Sequence, residues 1–410
     1  MIKDKNIVLG VTGSIAAYKA ADLASKLTQG GARVNVIMTK SAQEFINPMT
    51  FRSITGRPVV TQMFELASEY SVEHVALAEA ADVVVIAPAT ANVIAKLAAG
   101  ISDDMLTCTV LATKAPLVLA PAMNVNMYEN PITQENLAKL KAHGAVIVEP
   151  GYGRLASGKV GMGRLADNEK ILGTISLVLA RNGDLSGKCI VITAGGTQEP
   201  IDPVRYISNR SSGKMGYAIA LAARDRGAKV LLISAPTSLA EPVGVEVIQV
   251  GTATQMYHAV LEATPKADAL IMAAAVADYQ PRSTASSKIK KKTGKLVLEL
   301  VNTPDILAEV RGDFIRVGFA AETDNLISNA TDKLKRKQLD LIVANDVTLP
   351  GSGFGSDSNK VVLIDRQNQV QDLPLLPKQE VAHLILDHLL ALLSKRRPRR
   401  RTTLAKQKVS

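Results

Sequence analysis

Residues 79–91 read EAADVVVIAPATA, and residues 265–277 read PKADALIMAAAVA. Each stretch holds an acid, a short apolar run and then a string of small residues. A continuous apolar run of about five residues suits a strand covered on both faces, as in a parallel sheet. The echo extends outward, because GGARVNVIMTKSA at 30–42 resembles RGAKVLLISAPTS at 226–238. In both copies glycine closes a helical stretch and a basic residue leads into β-branched residues. Two copies of a repeating β-α-β pattern predict an α/β chain with two Rossmann-like, doubly wound parallel-sheet domains. The Asn182-Gly183 turn signal divides them, giving domains at 1–182 and 183–395 and a basic tail at 396–410.

Within that frame, strands are expected at 7–11, 33–38, 83–87, 117–120 and 146–148. The second series is expected at 189–194, 229–233, 245–250, 269–274, 315–320 and 341–344. Helical periodicity covers 214–226, 254–263, 325–338 and 378–393, and 131–142 opens on proline and closes before Gly144. The last helix carries Val381, Leu384, Ile385 and Leu392 on one face, which suits docking onto the second domain.

Composition excludes several classes of protein. Aromatic residues make up only 3% and Trp is absent, so the cores rest on Ala, Val, Ile and Leu. The net charge is +10, but eight unopposed cations lie between Lys395 and Ser410, and the rest of the chain is close to neutral. The tail reads as a disordered basic arm, either inert or in contact with nucleic acid or an anionic membrane. Cys108 and Cys189 stand alone, outside any metal or redox spacing. The start of the chain is charged and no apolar stretch is long enough to span a bilayer, so a cytoplasmic protein is expected.

The first half places small and polar residues after its strands. Gly10-Val11-Thr12-Gly13-Ser14-Ile15 joins the first strand to the first helix, where backbone N–H groups can meet a phosphate. The G-x-G-x-x-G pattern is missing and Thr39-Lys40-Ser41, with no acid, follows the second strand, which argues against NAD and suits a mononucleotide such as FMN. Ala89, Thr90 and Asn92 follow the strand at 83–87 and can hydrogen-bond a flavin ring. Asp103-Asp104 either caps a helix or binds the polyol of the ligand. His74 is the one histidine close to these loops, and Asn124, after Met123, can bind a carboxylate.

The strings HVALAEAADVVVIAPATANVIAKLAAGISDDML and LAPAMNVNMYENP resemble the flavin-dependent phosphopantothenoylcysteine decarboxylases over nearly all of residues 1–180. The resemblance implies FMN held by Gly13, Ser14, Ile15, Thr39, Ala89, Thr90, Asn92 and Met123, His74 as catalytic base or orienter, and Asn124 on the substrate carboxylate. It also implies oxidation of the cysteine thiol, loss of CO2 from the thiocarbonyl acid, and re-reduction with a proton from an active-site thiol. This chain departs from the family at one point. The flap reads Ala156-Ser157-Gly158-Lys159-Val160-Gly161-Met162-Gly163-Arg164, with Ser157 where the family carries Cys. A serine hydroxyl is a far weaker acid than a thiol of pKa about 8.5. Either Ser157 relays a proton through water, or another group such as Lys159 serves, or the first half is weak or stops early.

In the second half, Gly195-Gly196-Thr197 closes a strand, and Asp202-Pro203-Val204-Arg205-Tyr206-Ile207-Ser208-Asn209-Arg210-Ser211-Ser212-Gly213-Lys214 leads into a helix with free N–H groups. Asp278 and the lysines Lys288, Lys290, Lys291, Lys333 and Lys337 follow. Together with NTPDIL and GFAAET these strings resemble phosphopantothenate–cysteine ligase over about residues 185–395. That resemblance implies CTP-dependent activation of 4'-phosphopantothenate as an acyl-cytidylate, with attack by the cysteine amine. Asn209 would bind the intermediate, and Lys288 would stabilise charge at phosphate. Met272, Ala273, Ala274, Asp278, Lys288, Pro304, Asp305, Ile306, Leu307, Phe319, Lys333 and Lys337 would line the CTP site, and Mg2+ would accompany the triphosphate without identifiable protein ligands. The order of decarboxylase then ligase is that of the bifunctional coenzyme A enzymes, whose trimeric and dimeric contacts imply a homododecamer. The other reading is an active ligase whose flavin-binding half is weak or silent because of Ser157.

Overall fold

The computed structural model describes residues 2–63, 73–291, 295–322, 324–346, 353 and 355–396. The basic tail beyond Arg396 lies outside the described residues. The chain divides into two compact units, Met1–Asn182 and Gly183–Ser410.

The first unit is built on six parallel strands: β1 (Asn6–Val11), β2 (Arg33–Met38), β3 (Val59–Val60), β4 (Val83–Ala89), β5 (Leu117–Pro121) and β6 (Val146–Ile147). Their spatial order is β3-β2-β1-β4-β5-β6. The order reverses between β1 and β4, and there the connections leave toward opposite faces and open a crevice at the carboxyl ends. All seven residues of β4 are buried, as expected for a strand covered on both sides. The helix Ala17–Gln29 packs Ala20, Leu23, Ala24 and Leu27 onto that sheet and ends at Gly30, whose N–H donates to Lys26 O at 3.0 Å. The antiparallel pair β7 (Gly151–Arg154) and β8 (Val160–Arg164) forms a hairpin beyond the sheet.

The second unit repeats the plan and then extends it. Its main sheet contains β9 (Cys189–Ala194), β12 (Lys229–Ser234), β13 (Glu246–Gln249), β14 (Ala269–Met272), β17 (Ile315–Glu322), β18 (Leu341–Asp346), β20 (Val361–Asp365) and β21 (Val370–Asp372). The order is β13-β12-β9-β14-β17-β18-β20-β21, with the switch point between β9 and β14. The first six are parallel, and β20 and β21 close the edge antiparallel. This edge was not expected from the sequence. It is a short hairpin whose turn is held by Asp365, which accepts from the amides of Gln367 and Gln369 at 2.9 Å. Small two-stranded ribbons lie outside the sheet: β10 (Gln198–Pro200) with β11 (Tyr206–Ser208), β15 (Tyr279–Pro281) with β16 (Leu300–Asn302), and β19 (Ser358–Asn359) with β22 (Leu376–Pro377).

The last helix, Lys378–Lys395, docks on the second unit. Val381, Ile385, Leu386 and Leu389 share one buried cluster with Tyr217, Ile219 and Ala220 of the helix Lys214–Asp225. Among the described residues no helix is long and apolar enough to cross a membrane.

Candidate active sites

In the first unit the loops after β1, β4 and β5 meet at the switch point. Thr12 is fully buried there, and its hydroxyl donates to Pro88 O at 2.7 Å and accepts from Thr90 N at 3.1 Å. One hydroxyl thus ties the end of β1 to the end of β4. Gly13 follows, and a Cβ at that position would lie 2.4 Å from Ser41 Cβ, so a side chain would push apart the loops after β1 and β2. Ser14 accepts from Ala16 N at 3.2 Å, and Thr39 and Thr90 cap the helices that follow them. Asp104 caps its helix through a capping box with Thr107, while Asp103 does not cap and pairs with Lys96.

The hairpin β7–β8 closes over the end of β5. Gly163 O accepts from Met123 N at 2.9 Å, and a Cβ on Gly163 would meet Met123 O at 2.3 Å. Leu155 O accepts from Gly158 N, Leu155 N donates to Lys159 O, and Gly158 adopts φ 82°. This three-residue hairpin turn needs a left-handed residue at its third position, and Gly158 supplies it. Ser157 therefore stands exposed at the tip. Its Oγ accepts from Asn124 Nδ2 at 3.0 Å, while Asn124 Oδ1 accepts from Asn126 N at 3.0 Å. A cavity of about 680 Å³ lies between hairpin and sheet, lined by Ser14, Ile15, Met123, Asn124 and Ser157, with Arg154 and Arg164 adding positive charge. Arg154 was not singled out from the sequence, and Arg164 figured there only as the last residue of the flap motif. Gly13, Thr39, Ala89, Thr90 and Asn92 lie in the adjoining loops and strand ends, outside that lining, and His74, on the helix Glu73–Ala80, is also outside it.

The second unit holds a larger cavity of about 870 Å³ at the carboxyl ends of β14 and β17. It brings together Asn209, Met272, Ala273, Ala274, Asp278, Pro304, Asp305, Ile306, Leu307, Phe319, Lys333 and Lys337 from segments more than a hundred residues apart. Thr193 and Thr197 shape its wall, accepting from Ala274 N at 3.1 Å and from Ala277 N at 2.9 Å. Asn209 Nδ2 donates to Val276 O at 2.9 Å. The N-terminus of the helix Lys214–Asp225 points its first turn into the space, behind the left-handed Gly213 at φ 74°. Gly216 lets that helix lie against β9, since a Cβ there would fall 2.6 Å from Ala194 Cβ.

Six cations line this cavity: Arg210, Lys214, Lys333, Arg336, Lys337 and Lys378. Burial pushes the Lys333 ammonium down from its ordinary value against the pull of Glu322 and Asp278, and its Nζ donates to Phe319 O at 2.9 Å. Burial lowers Lys337 as well, and Lys337 pairs with Asp305, which also caps the short helix Ile306–Glu309. Lys378 is only 6% exposed, donates to Gly353 O at 3.1 Å and to Ser356 O, and is lowered by burial and then by the nearby Lys214. Arg336 and Lys378 were not picked out from the sequence, and Arg210 and Lys214 figured there only within the segment that leads into the helix. Lys288 does not line the cavity and is exposed on the segment between β15 and β16. Among the described residues no group of three His, Cys, Asp or Glu could hold a metal ion.

Residues 1–179 match the family described as Flavoprotein, and residues 185–393 match the DNA/pantothenate metabolism flavoprotein C-terminal domain. The chain is 46% identical over 398 residues to the Coenzyme A biosynthesis bifunctional protein CoaBC of Bacillus subtilis (strain 168), covering 96% of this chain and 98% of that one. Among solved structures, the C-terminal domain of a CoaBC protein is 42% identical over 52% of this chain and all of that one, with TM-score 0.46. A cysteine-to-serine mutant of a PPC decarboxylase complexed with pantothenoylaminoethenethiol is 33% identical over 43% of this chain and 98% of that one, with TM-score 0.39. The chain belongs to the family of coenzyme A biosynthesis bifunctional proteins. It is accordingly an enzyme with a decarboxylase-type flavoprotein half and a ligase-type half.

Proposed function

We propose that this enzyme joins cysteine to 4'-phosphopantothenate at the expense of CTP and then decarboxylates the product to 4'-phosphopantetheine, using FMN in the first unit. The observation that carries the ligase half is the cation-lined cavity at the switch point of the second sheet. Lys333, Lys337 and the N-terminal turn of the helix Lys214–Asp225 provide positive potential and N–H donors for a triphosphate. Mg2+ would enter with the nucleotide, held through phosphate oxygens. Asn209 lines the cavity where the acyl-cytidylate would form, and Lys288, from outside that lining, would reach in to offset charge at the leaving phosphate.

For the decarboxylase half, the loops after β1, β2 and β4 fit FMN. Gly13 lets the loops after β1 and β2 close on each other, Ser14 and the first turn of the helix Ala17–Gln29 would face a phosphate, and the 58%-exposed Ile15, with Met123, gives an apolar wall for the ring. When bound, FMN supplies the two-electron redox chemistry that makes the thiol carbon an electron sink for decarboxylation. Asn124 would hold the substrate carboxylate and His74 would take or orient the thiol proton. The 3.0 Å Asn124–Ser157 bond supports a working variant, because it puts the Ser157 hydroxyl beside the amide that grips substrate. A silent flavin half remains the second reading, favoured by the weak acidity of that hydroxyl.

The test is to incubate the full chain with 4'-phosphopantothenate, cysteine, CTP and Mg2+ and to follow products by mass. Accumulating 4'-phosphopantetheine supports both halves, and arrest at phosphopantothenoylcysteine leaves the ligase alone. Lys288→Gln should abolish ligation and spare decarboxylation of supplied phosphopantothenoylcysteine; His74→Asn should do the reverse. The cytoplasm as location and a homododecamer as assembly complete the proposal, and light scattering on the purified protein tests the latter.

A further inference from the structure

The turn between β10 and β11 contains a carboxylate that does more than close the turn. Asp202 is 2% exposed. Its Oδ1 accepts from Val204 N at 2.8 Å and Arg205 N at 2.9 Å, the local bonds that an Asp at a turn makes. Its Oδ2 accepts from Arg205 Nε at 3.0 Å, from the Arg205 terminal nitrogen at 2.5 Å, and from Ile289 N at 3.1 Å, eighty-seven residues away. The same guanidinium donates to Ile289 O at 2.7 Å. Asp202 and Arg205 together grip both backbone polar groups of the residue next to Lys288. Two more bonds lay the segment along the turn: Ala285 N to Ile201 O at 3.0 Å and Thr284 Oγ1 to Pro200 O at 3.1 Å. The other end of this ribbon leads to Asn209 on the cavity.

We propose that Asp202 is a positioning residue of the ligation: through Arg205 it clamps Ile289 and so fixes the Lys288 backbone relative to the ribbon that presents Asn209. The proposal rests on the reading of Lys288 as the cation that meets phosphate. A lysine on an unanchored loop must be ordered at each turnover, and a misplacement of about 1 Å at a reacting centre costs on the order of 100-fold. Arg205 beside it holds the Asp202 carboxyl well below the usual carboxylate range, so the clamp is charged at any pH used for assay.

The test is Asp202→Asn in the full chain. The amide preserves shape, and Oδ1 can still accept from Val204 and Arg205, but its NH2 turns donors toward the Ile289 N–H and the guanidinium. Pyrophosphate release with 4'-phosphopantothenate, cysteine, CTP and Mg2+ is expected to fall about 100-fold in kcat, with the KM for CTP changed less than about threefold. Trypsin cleavage after Lys288, Lys290 and Lys291 is expected to accelerate at least about 10-fold, as opening of the segment becomes cheaper. Decarboxylation of supplied phosphopantothenoylcysteine serves as the internal control and stays unchanged. Arg205→Lys, at a half-exposed position, is a second variant that keeps the charge and loses the fork; about a 10-fold fall is expected. A wild-type kcat in Asp202→Asn, or a fall in kcat with wild-type proteolysis, overturns the proposal. Lys288→Gln separates the two ideas. If it is slow while Asp202→Asn runs normally, the clamp alone fails; if it runs normally, the reading of Lys288 fails and the clamp's catalytic role fails with it.

Discussion

Replacing Thr12 with Val asks whether one hydroxyl holds the switch-point crevice of the first unit together. Val nearly matches Thr in shape, so no cavity opens. What disappears is the donor to Pro88 O at 2.7 Å and the acceptor for Thr90 N at 3.1 Å, inside a site where Thr12 itself is 0% exposed. Each buried polar group left without a partner costs about 1–3 kcal/mol. Thr90 is half-buried, so water compensates part of its loss and the pair together costs about 2–4 kcal/mol. For a unit of this size 1 kcal/mol moves Tm by about 2–4 °C, so the first unit's transition should fall by about 5–15 °C. Differential scanning calorimetry of the full chain reads this as one transition moving while the other stays fixed. Thr12→Ser keeps the hydroxyl and loses one buried methyl, so it should recover all but about 1 kcal/mol. A Val variant within about 1 °C of wild type, or a Ser variant as unstable as Val, would refute the reasoning, because the two backbone groups would then have found other partners.

Ser157→Cys places a thiol of pKa about 8.5 where the hydroxyl now meets Asn124, and decarboxylation should rise at least about 10-fold with ligation unchanged; an unchanged rate would mean that the proton comes from elsewhere. Lys333→Met removes a cation whose folded-state pKa is depressed by burial. The variant should match or exceed wild-type stability near pH 7, while CTP affinity, measured by calorimetric titration, drops about 10-fold or more. As pH rises toward about 10.4, wild type sheds the burden of that charge and should gain stability relative to the variant. Asp202 has the opposite sign. Its depressed pKa contributes stability above about pH 4 that is lost as pH falls further, so urea midpoints of wild type and Asp202→Asn should draw together progressively as pH falls below about 4.

Much of the architecture was legible because it depends on local pattern. Apolar runs in strands such as Val83–Ala89 and Cys189–Ala194 announced buried parallel strands, and the helix Pro131–Ala142 was bounded by its proline and by Gly144. The outer strand of the edge hairpin, Val370–Asp372, was not legible, since it is wholly exposed and has no periodicity to read, whereas the buried run Val361–Asp365 carried the same signal as the other strands and was passed over. The site divides in the same way. Asn209, Asp278, Lys333 and Lys337 could be picked out as polar residues following strands or lying on a helix, and they do line one cavity.

The sequence by itself determined the doubled β-α-β plan, the division near residue 182, and the small-residue loops at the strand ends, because each follows from period, glycine placement and chain length. Only the tertiary structure decided that Lys378 turns inward onto the carbonyls of Gly353 and Ser356, that Ser157 meets Asn124 across thirty-three residues, and that Lys288 lies outside the cavity, next to an Ile289 held by Asp202. Those outcomes depend on which loops the sheet order brings together. A charged residue in a sequence carries no mark of whether its partner will be solvent, a buried carbonyl or a substrate.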